Sequence, residues 1–143
     1  MHREINHTLN VISTRLLTWA DWQGGVQDTT TPQEAQRLRL AGAPAHCSAT
    51  LPQDVVRVLG VPVAQALGYL MVDVAGEALI NRTSWRTEIK RWGRIVGLTG
   101  AQRAVLLCLC EYYAALPCGA MWSAANDTSI EGMLQRVLDG ARK

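Results

Sequence analysis

The chain has 143 residues, of which 48% are hydrophobic and 18% are charged. This size and composition favour one globular domain and exclude a disordered protein. The formal net charge of +2 is too small to indicate nucleic-acid binding by itself. The amino terminus has no apolar segment typical of a signal peptide, and no apolar run approaches about 18 residues. We therefore expect a cytoplasmic protein without a membrane-spanning helix.

The first helix is predicted over residues 3–22, and Gly24 with Gly25 ends it. Its apolar residues recur in alternating steps of four and three, a pattern typical of a narrow seam that packs on another helix. The members of this seam are Ile5, Leu9, Ile12, Leu16 and Trp19. Because such a seam also fits a second copy of the chain, a homodimer through this helix is one hypothesis.

A short helix is predicted next, after a polar loop. Thr31 supplies an N-cap, Pro32 stands at the first helical position and Glu34 completes a capping box. The helix is expected to continue through Leu40. Small and polar residues then indicate a surface loop over residues 43–49.

Two further helices are predicted before the middle of the chain, over residues 53–59 and from residue 62 to about 80. The longer one contains Gly68 and Gly76. Each glycine costs about 1 kcal/mol relative to alanine inside a helix. The pair either allows another helix to approach closely or is a tolerated weakening, and the sequence leaves both alternatives open.

The most concentrated charge lies on a helix predicted over residues 82–96. Residues 82–143 contain nine Lys/Arg and five Asp/Glu, whereas residues 1–81 contain five and seven. On this helix, cations recur every four residues, so that they form a stripe on one face with Glu88 as the single acid. The cations of this basic stripe are Arg82, Arg86, Lys90, Arg91 and Arg94.

Two interpretations of the basic stripe remain open. Arginine side chains bind phosphate and carboxylate groups in bidentate fashion, so the stripe is a candidate site for a nucleic-acid backbone or an acidic protein surface. Alternatively, it is a solvated face whose cations pair with Glu88 or with acids on other elements. The distinction depends on whether the cations are free in the folded chain.

The opposite face of the basic helix has the spacing of a core-facing surface, carried by Trp85, Ile89, Trp92 and Val96. Gly97 is predicted to end this helix, and Thr99 with Gln102 forms a capping box that starts the next. The following helix, extending to about residue 116, is apolar on nearly all sides. We predict that it is the most apolar helix and lies at the centre of the domain.

The carboxyl-terminal segment is predicted to form a short helix over residues 119–125, a turn at Asn126 and Asp127, and a final amphipathic helix. Thr128 and Glu131 have the spacing of a capping box at the start of this last helix. The succession of helix, turn and helix is typical of a helix-turn-helix DNA reader.

In that interpretation, Ser129, Gln135 and Arg136 face a DNA groove. Glu131 and Asp139 lie on the same side of the helix, where acids would repel phosphate. Two adjacent helices that close a bundle explain the same residues, so this alternative also stays open.

No catalytic pattern is present, and we expect a non-enzymatic protein. The three histidines, His2, His7 and His46, fall in the amino-terminal third, and the known motifs for zinc hydrolysis, serine nucleophiles and phosphate binding are missing. Asp73 and Glu77 stand four residues apart on one helix and could contact the same solute. Carboxylates with this spacing are more often the solvated side of a helix.

The four cysteines indicate neither a disulfide framework nor a metal site. They are Cys47, Cys108, Cys110 and Cys118. Residues two apart on a helix point in different directions, so Cys108 and Cys110 favour neither a mutual disulfide nor a shared metal. We expect free thiols of a reducing compartment, with no metal and no cofactor.

Three segments resemble the small phage Q-type late-gene antitermination proteins. LLTWADWQGG, at residues 16–25, is similar to the W-x-x-W helix near the start of that family. EYYAAL, at residues 111–116, and DTSIEGMLQRVLDG, at residues 127–140, are similar to its apolar helix and its final helices. The chain departs from the family pattern because it lacks the cysteine-rich zinc module that some members carry.

The resemblance implies a protein that binds a DNA element near a promoter, joins a paused RNA polymerase and lets it pass terminators. It implies that Trp19 and Trp22 belong to the core. It also implies a DNA-facing helix that contains Thr128, Ser129, Gln135 and Arg136.

Together, these observations predict an all-α, single-domain bundle of about six to eight helices with a central apolar helix. Residues 3–80 supply the amino-terminal helices, and residues 82–143 supply the basic helix, the central helix and the helix-turn-helix-like tail. The leading functional hypothesis is a phage-type regulator that binds DNA and RNA polymerase. The alternative is a helical inhibitor of a host protein complex, for example a phage anti-defence factor, that acts by protein–protein binding.

Overall fold

The computed structural model describes residues 2–24, 31–34, 51–114 and 130–141, and within these ranges all regular secondary structure is helical. Residues 32–34 are helical. The longer helices are α1 (His2–Trp22), α2 (Gln53–Leu59), α3 (Val61–Asn81), α4 (Trp85–Ile95), α5 (Gly100–Ala114) and α6 (Ile130–Ala141). The predicted all-α bundle of six to eight helices with a central apolar helix is confirmed.

Several predicted features lie outside the described residues. They are the end of the short helix at Leu40, the loop over 43–49, the helix over 119–125 and its following turn, His46, Cys47, Cys118, Thr128 and Ser129.

Helix α5 lies at the centre of the bundle, where it contacts α1, α3, α4 and α6. Its side chains Val105, Leu106 and Leu109 are completely buried. Residues from α1 to α6 join them in one continuous apolar core. This arrangement follows from the apolar composition of α5, because a helix without a polar face is stable in water only when neighbours surround it.

The apolar seam of α1 is used inside the chain. Its residues Ile5, Leu9, Ile12 and Leu16 are buried in the common core. The ring of Trp19 lies 5.3 Å from the ring of Tyr69 on α3. A dimer formed through this seam would have to remove these side chains from the core, so any dimer must use a different face of the protein.

Trp22 contradicts the expectation that both tryptophans of the W-x-x-W segment belong to the core. Trp19 is half-buried against the core, but 85% of Trp22 is exposed. The physical reason is helical periodicity, because a residue three positions after Trp19 at the last turn of α1 projects past the end of the seam.

Helix α3, and not α5, has the length and composition of a membrane span among the described residues. Half of the relevant window is buried inside the bundle, and the core helices of soluble proteins meet the same criterion. This helix corrects the prediction that α5 is the most apolar. The predicted absence of a membrane-spanning helix stays a prediction.

The two glycines of α3 have different surroundings. Gly68 is buried, whereas Gly76 is exposed, and a Cβ atom added at Gly76 would meet nothing within 4 Å. Gly76 therefore makes no close contact with another described helix.

The predicted helix ends in the middle of the chain are confirmed. Gly97 has a φ of 83° and its N–H donates to Arg94 O at 3.1 Å, while the N–H of Leu98 donates to Gly93 O at 2.8 Å. This pair of bonds is the Schellman motif that glycine permits after a helix. Thr99 Oγ1 accepts the N–H of Gln102 at 3.2 Å, and Gln102 Oε1 accepts the N–H of Thr99 at 2.9 Å.

Candidate nucleic-acid or acidic-partner interface

The basic stripe starts later than predicted, because Arg82 lies outside α4. It is the C-cap of α3, with a left-handed backbone at φ 54° and ψ 44°. Ser84 is the N-cap of α4, and its Oγ accepts the N–H of Thr87 at 3.1 Å. A serine that satisfies a free N–H at a helix start competes with continuation of the preceding helix. The predicted single helix over residues 82–96 is therefore wrong at its first three residues.

The core-facing side of α4 is confirmed. Ile89 and Trp92 are buried, while Trp85 and Val96 pack against the core as half-buried side chains. The ring of Trp92 meets that of Trp19 edge to face, with 6.1 Å between ring centroids. These contacts fix the rotation of α4 about its axis, so that the cations are directed away from the core.

Glu88 does not belong to the exposed stripe. Only 5% of it is accessible, and its carboxylate accepts hydrogen bonds from Thr83 Oγ1 at 2.6 Å and from Asn81 Nδ2 at 3.4 Å. The hydrogen bond from Thr83 is the main reason why the pKa of Glu88 lies below its ordinary value. Glu88 therefore fastens the start of α4 to the end of α3.

Two of the five predicted cations form ion pairs within the chain. Arg86 Nε lies 3.1 Å from Glu111 Oε1 on α5, and its guanidinium stacks 4.5 Å from the centre of the Trp85 ring. Arg91 lies 3.7 Å from Glu88 Oε2. For these two residues, the interpretation as a solvated face with internal pairing is supported.

The other three cations form no ion pair with any described residue. Arg82, Lys90 and Arg94 are all exposed. Lys90 and Arg94 stand one turn apart on the outer side of α4, opposite Ile89 and Trp92. The free part of the stripe is therefore smaller than predicted.

Lys90 also lines a groove of about 510 Å³ between α4, α5 and α6. Arg103 and Glu111 contribute the other charged groups, and the apolar floor includes Leu107 and Met133. Pockets of this size are in the range that binds small ligands or side chains of a partner. The groove extends the cationic surface from α4 towards α5.

Arg103 is a cation of this surface that the sequence analysis did not single out. Its Nη1 donates to Leu98 O at 3.0 Å, and its side chain passes over Gly93, where an added Cβ would lie 2.8 Å from Arg103 Cγ. The sequence feature that could have indicated this contact is Gly93, because a glycine inside a helix often marks a place where another part of the chain approaches closely.

The proposed DNA-reading helix is only partly described. Gln135 on α6 is half-buried, and its Nε2 donates to Asp139 Oδ1 at 2.9 Å, while its Oε1 is buried without a hydrogen-bond donor among the described residues. Arg136 is exposed. In this arrangement the amide of Gln135 is engaged along its own helix, and its role in reading a base edge stays a prediction.

The two cysteines that the structure describes are free thiols. Burial raises the pKa of Cys108 to about 11 and raises that of Cys110 further. Both thiols are therefore protonated at neutral pH and behave as apolar side chains. No group of three or more His, Cys, Asp or Glu residues in the described ranges could hold a metal ion.

Neither family models, nor curated proteins, nor solved structures match this chain. The geometry of the surface is therefore the basis for assigning a function.

Proposed function

We propose that this protein is a non-enzymatic regulator that binds DNA, in a complex with RNA polymerase, through the outer face of α4. The observation that carries the proposal is the pair Lys90 and Arg94, which are exposed and have no ion pair among the described residues. A cation that has no ion pair among the described residues breaks none of the described ion pairs when it binds phosphate.

The paired arginine Arg86 adds to the same surface. Both partners of the Arg86–Glu111 pair are about half-exposed, with accessible fractions of 54% and 47%. Exposed pairs of this kind contribute only about 0–1 kcal/mol, so Arg86 can exchange its carboxylate for a phosphate at low cost. Three cations at four-residue steps extend about 12 Å along the helix, which corresponds to three or four phosphates of one strand.

The test is the salt dependence of binding to a fluorescently labelled duplex DNA of generic sequence, measured by anisotropy. With three phosphates neutralised, the dissociation constant should rise about 40-fold between 50 and 200 mM salt. The double variant Lys90→Ala/Arg94→Ala should bind more weakly and should lower the slope of log K against log salt by about 1.8. The matched control is Arg15→Ala, which removes an exposed arginine of α1 and should change neither quantity.

Two results would contradict DNA binding. The first is the absence of any anisotropy change at 50 mM salt, and the second is binding that the Lys90→Ala/Arg94→Ala variant leaves unchanged.

A second candidate function is inhibition of a host protein complex by protein–protein binding. It is favoured by Ile95, which is 75% exposed immediately after Arg94. Arginine is enriched at protein interfaces, and a partner that covers Arg94 would also remove the apolar side chain of Ile95 from water. In this case generic DNA does not bind at any salt concentration, and Ile95→Ser reduces the recovery of one host complex in a pull-down. The Arg15→Ala variant again serves as the control.

A further inference from the structure

The groove between α4, α5 and α6 follows one face of α5. The residues of α5 that line it recur in steps of three and four, and they are Gly100, Arg103, Ala104, Leu107, Cys108 and Glu111. At 1.5 Å per residue, this row is about 16 Å long, or three turns of a helix. Lys90 of α4 lines one side of the groove, and Met133 and Val137 of α6 line the other. A segment of about eleven residues in helical form has the same length.

The floor of the groove is apolar. Met133 is 4% exposed, and Leu107, Cys108 and Val137 are half-buried side chains that pack against the core. All four line the groove as well. Removing the accessible part of these side chains from water is worth about 25 cal/mol per Å² of apolar surface. The floor therefore favours apolar side chains of a protein over a phosphate backbone.

The groove has a positive charge, because its acid is paired and its cations are not. Glu111 Oε1 lies 3.1 Å from Arg86 Nε, which neutralises the carboxylate that lines the groove. Lys90 and Arg103 also line it, and neither forms an ion pair with a described residue. An acidic partner therefore meets two available cations.

The other acids of the three helices are engaged elsewhere. Glu88 accepts hydrogen bonds at the junction of α3 and α4, and Glu131 pairs with Arg57 of α2. Asp139 lies about 160° round α6 from Val137, at 100° per residue. The sequence of α4, α5 and α6 contains no further acid. None of the acids on these helices therefore neutralises the two cations of the groove.

The two cations of the groove are about one helical turn apart. Arg86 reaches Glu111 near the end of α5. Gly93, further along α4, contacts Arg103 near the start of α5. The two helices are therefore antiparallel, and Lys90, three residues before Gly93, lies about 4.5 Å along the groove from Arg103. Acids three or four residues apart on a helix have a similar spacing.

Arg103 is held in position within the folded chain. Its Nη1 donates to Leu98 O at 3.0 Å, and its side chain lies over Gly93, where an added Cβ would be 2.8 Å from Arg103 Cγ. These contacts restrict the rotamers of the arginine. Because less side-chain freedom is then lost on binding, the guanidinium is pre-organised for a carboxylate.

We propose that this groove binds an amphipathic helix of a partner protein, which places apolar side chains on the floor and two carboxylates, three or four residues apart, against Lys90 and Arg103. Helices that bind in grooves are anchored by apolar residues at such steps. The charges select the partner, since a basic helix would face like charges. The inference does not rest on the proposed DNA binding, because it uses Arg103 and Leu107 and does not use Arg94.

The first test uses a fluorescein-labelled synthetic peptide of about 18 residues, long enough to populate a helix in water. Leucines repeat on one face in steps of three and four, and two glutamates four residues apart flank them. Anisotropy should show saturable binding to the full chain in the absence of DNA. Replacing the glutamates with lysine, or the leucines with serine, should weaken binding about tenfold or more.

Charge reversal then separates the groove from the rest of the basic surface. Lys90→Glu should weaken binding of the acidic peptide about tenfold, and it should bind the lysine peptide more tightly than the wild type does. Arg94→Glu is the matched control, because it reverses a charge one turn further along α4 that does not line the groove. It should have a clearly smaller effect on the peptide while it weakens binding to DNA. Circular dichroism confirms that both variants are folded.

The second test locates the peptide through the native thiol of Cys108, which lines the groove. Saturating acidic peptide should slow alkylation of Cys108 by iodoacetamide severalfold, measured by tandem mass spectrometry, whereas the lysine peptide should not. Three results would each overturn the proposal. They are no anisotropy change at hundreds of micromolar protein, equal effects of Lys90→Glu and Arg94→Glu on the acidic peptide, and unchanged alkylation of Cys108 in the peptide-bound protein.

Discussion

Helices α3 and α4 are neighbours that pack against one another, yet they present opposite outer surfaces. Both bury an apolar face in the common core, through residues such as Leu67 and Leu70 on α3 and Ile89 and Trp92 on α4. Outside, α3 exposes aliphatic side chains, whereas α4 exposes arginine and lysine. The inner faces are alike because the fold requires each helix to bury an apolar face in the common core. The outer faces differ because folding does not determine them.

This contrast teaches where function should be sought. Exposed leucine and isoleucine contribute little to folding, and exposed cations without partners contribute little as well. The two outer faces therefore give independent indications of binding. The aliphatic one is an apolar surface without a partner among the described residues, and the cationic one is the surface through which we propose that the protein binds DNA.

The claim that the outer face of α4 does not serve folding would be contradicted if its inner and outer sides contributed equally to stability. Ile89→Ala should lower the free energy of unfolding by about 2–5 kcal/mol, because it leaves a cavity at a completely buried position. Lys90→Ala, one residue further on the exposed side, should change it by less than about 0.5 kcal/mol. Urea unfolding followed by circular dichroism measures both. Similar losses for the two variants would show that the basic face is structural.

The glycines provide a second and smaller contrast between α3 and α4. Gly93→Ala places a Cβ 2.8 Å from Arg103 Cγ, and moving that side chain disturbs its hydrogen bond to Leu98 O. We expect a loss of about 1–3 kcal/mol in the free energy of unfolding. Gly76→Ala has open space and should gain about 0.5–1 kcal/mol through lower backbone entropy of the unfolded chain.

Both glycine variants are compared with the wild type by chemical denaturation at the same protein concentration. Adding Arg103→Ala to Gly93→Ala should recover part of the loss, because the side chain that clashes is removed. A stabilising Gly93→Ala would mean that Arg103 can move aside without cost.

Much of this fold is predictable from the sequence because burial repeats with the period of the helix. The sequence pattern predicts the seam of α1, the inner face of α4 and the capping box at Thr99 and Gln102. Each of these features depends on residues that lie close together in the chain. The start of α4 at Ser84 also depends on neighbouring residues in the sequence. It was missed because the four-residue spacing of the cations suggested one continuous helix from Arg82.

The state of the basic stripe was not predictable, since it depends on contacts between distant residues. Arg86 is paired because α5 places Glu111 beside it, 25 positions later in the chain. Glu88, by contrast, accepts hydrogen bonds from Asn81 and Thr83, which lie seven and five positions before it at the junction of α3 and α4. Spacing within one helix shows which cations share a face and which acid of the same helix is near, but the acid that pairs with Arg86 comes from the packing of another helix.

The junction between α3 and α4 gives the smallest and most specific prediction. Because the hydrogen bond from Thr83 lowers the pKa of Glu88 in the folded chain, the ionised carboxylate stabilises the fold above its ordinary pKa. This stabilisation is lost as the pH falls through the lowered pKa. Thr83→Val removes the main cause of the shift, so acid unfolding should begin at a higher pH than in the wild type. Unfolding followed by tryptophan fluorescence across a pH series measures the midpoint.

The matched control for this prediction is Thr18→Val, which removes an exposed hydroxyl from α1 and should leave the acid midpoint unchanged. If Thr83→Val also leaves it unchanged, Glu88 does not hold the two helices together through its charge. A higher midpoint for Thr83→Val would show that the ionised carboxylate of Glu88 stabilises the junction between the two helices.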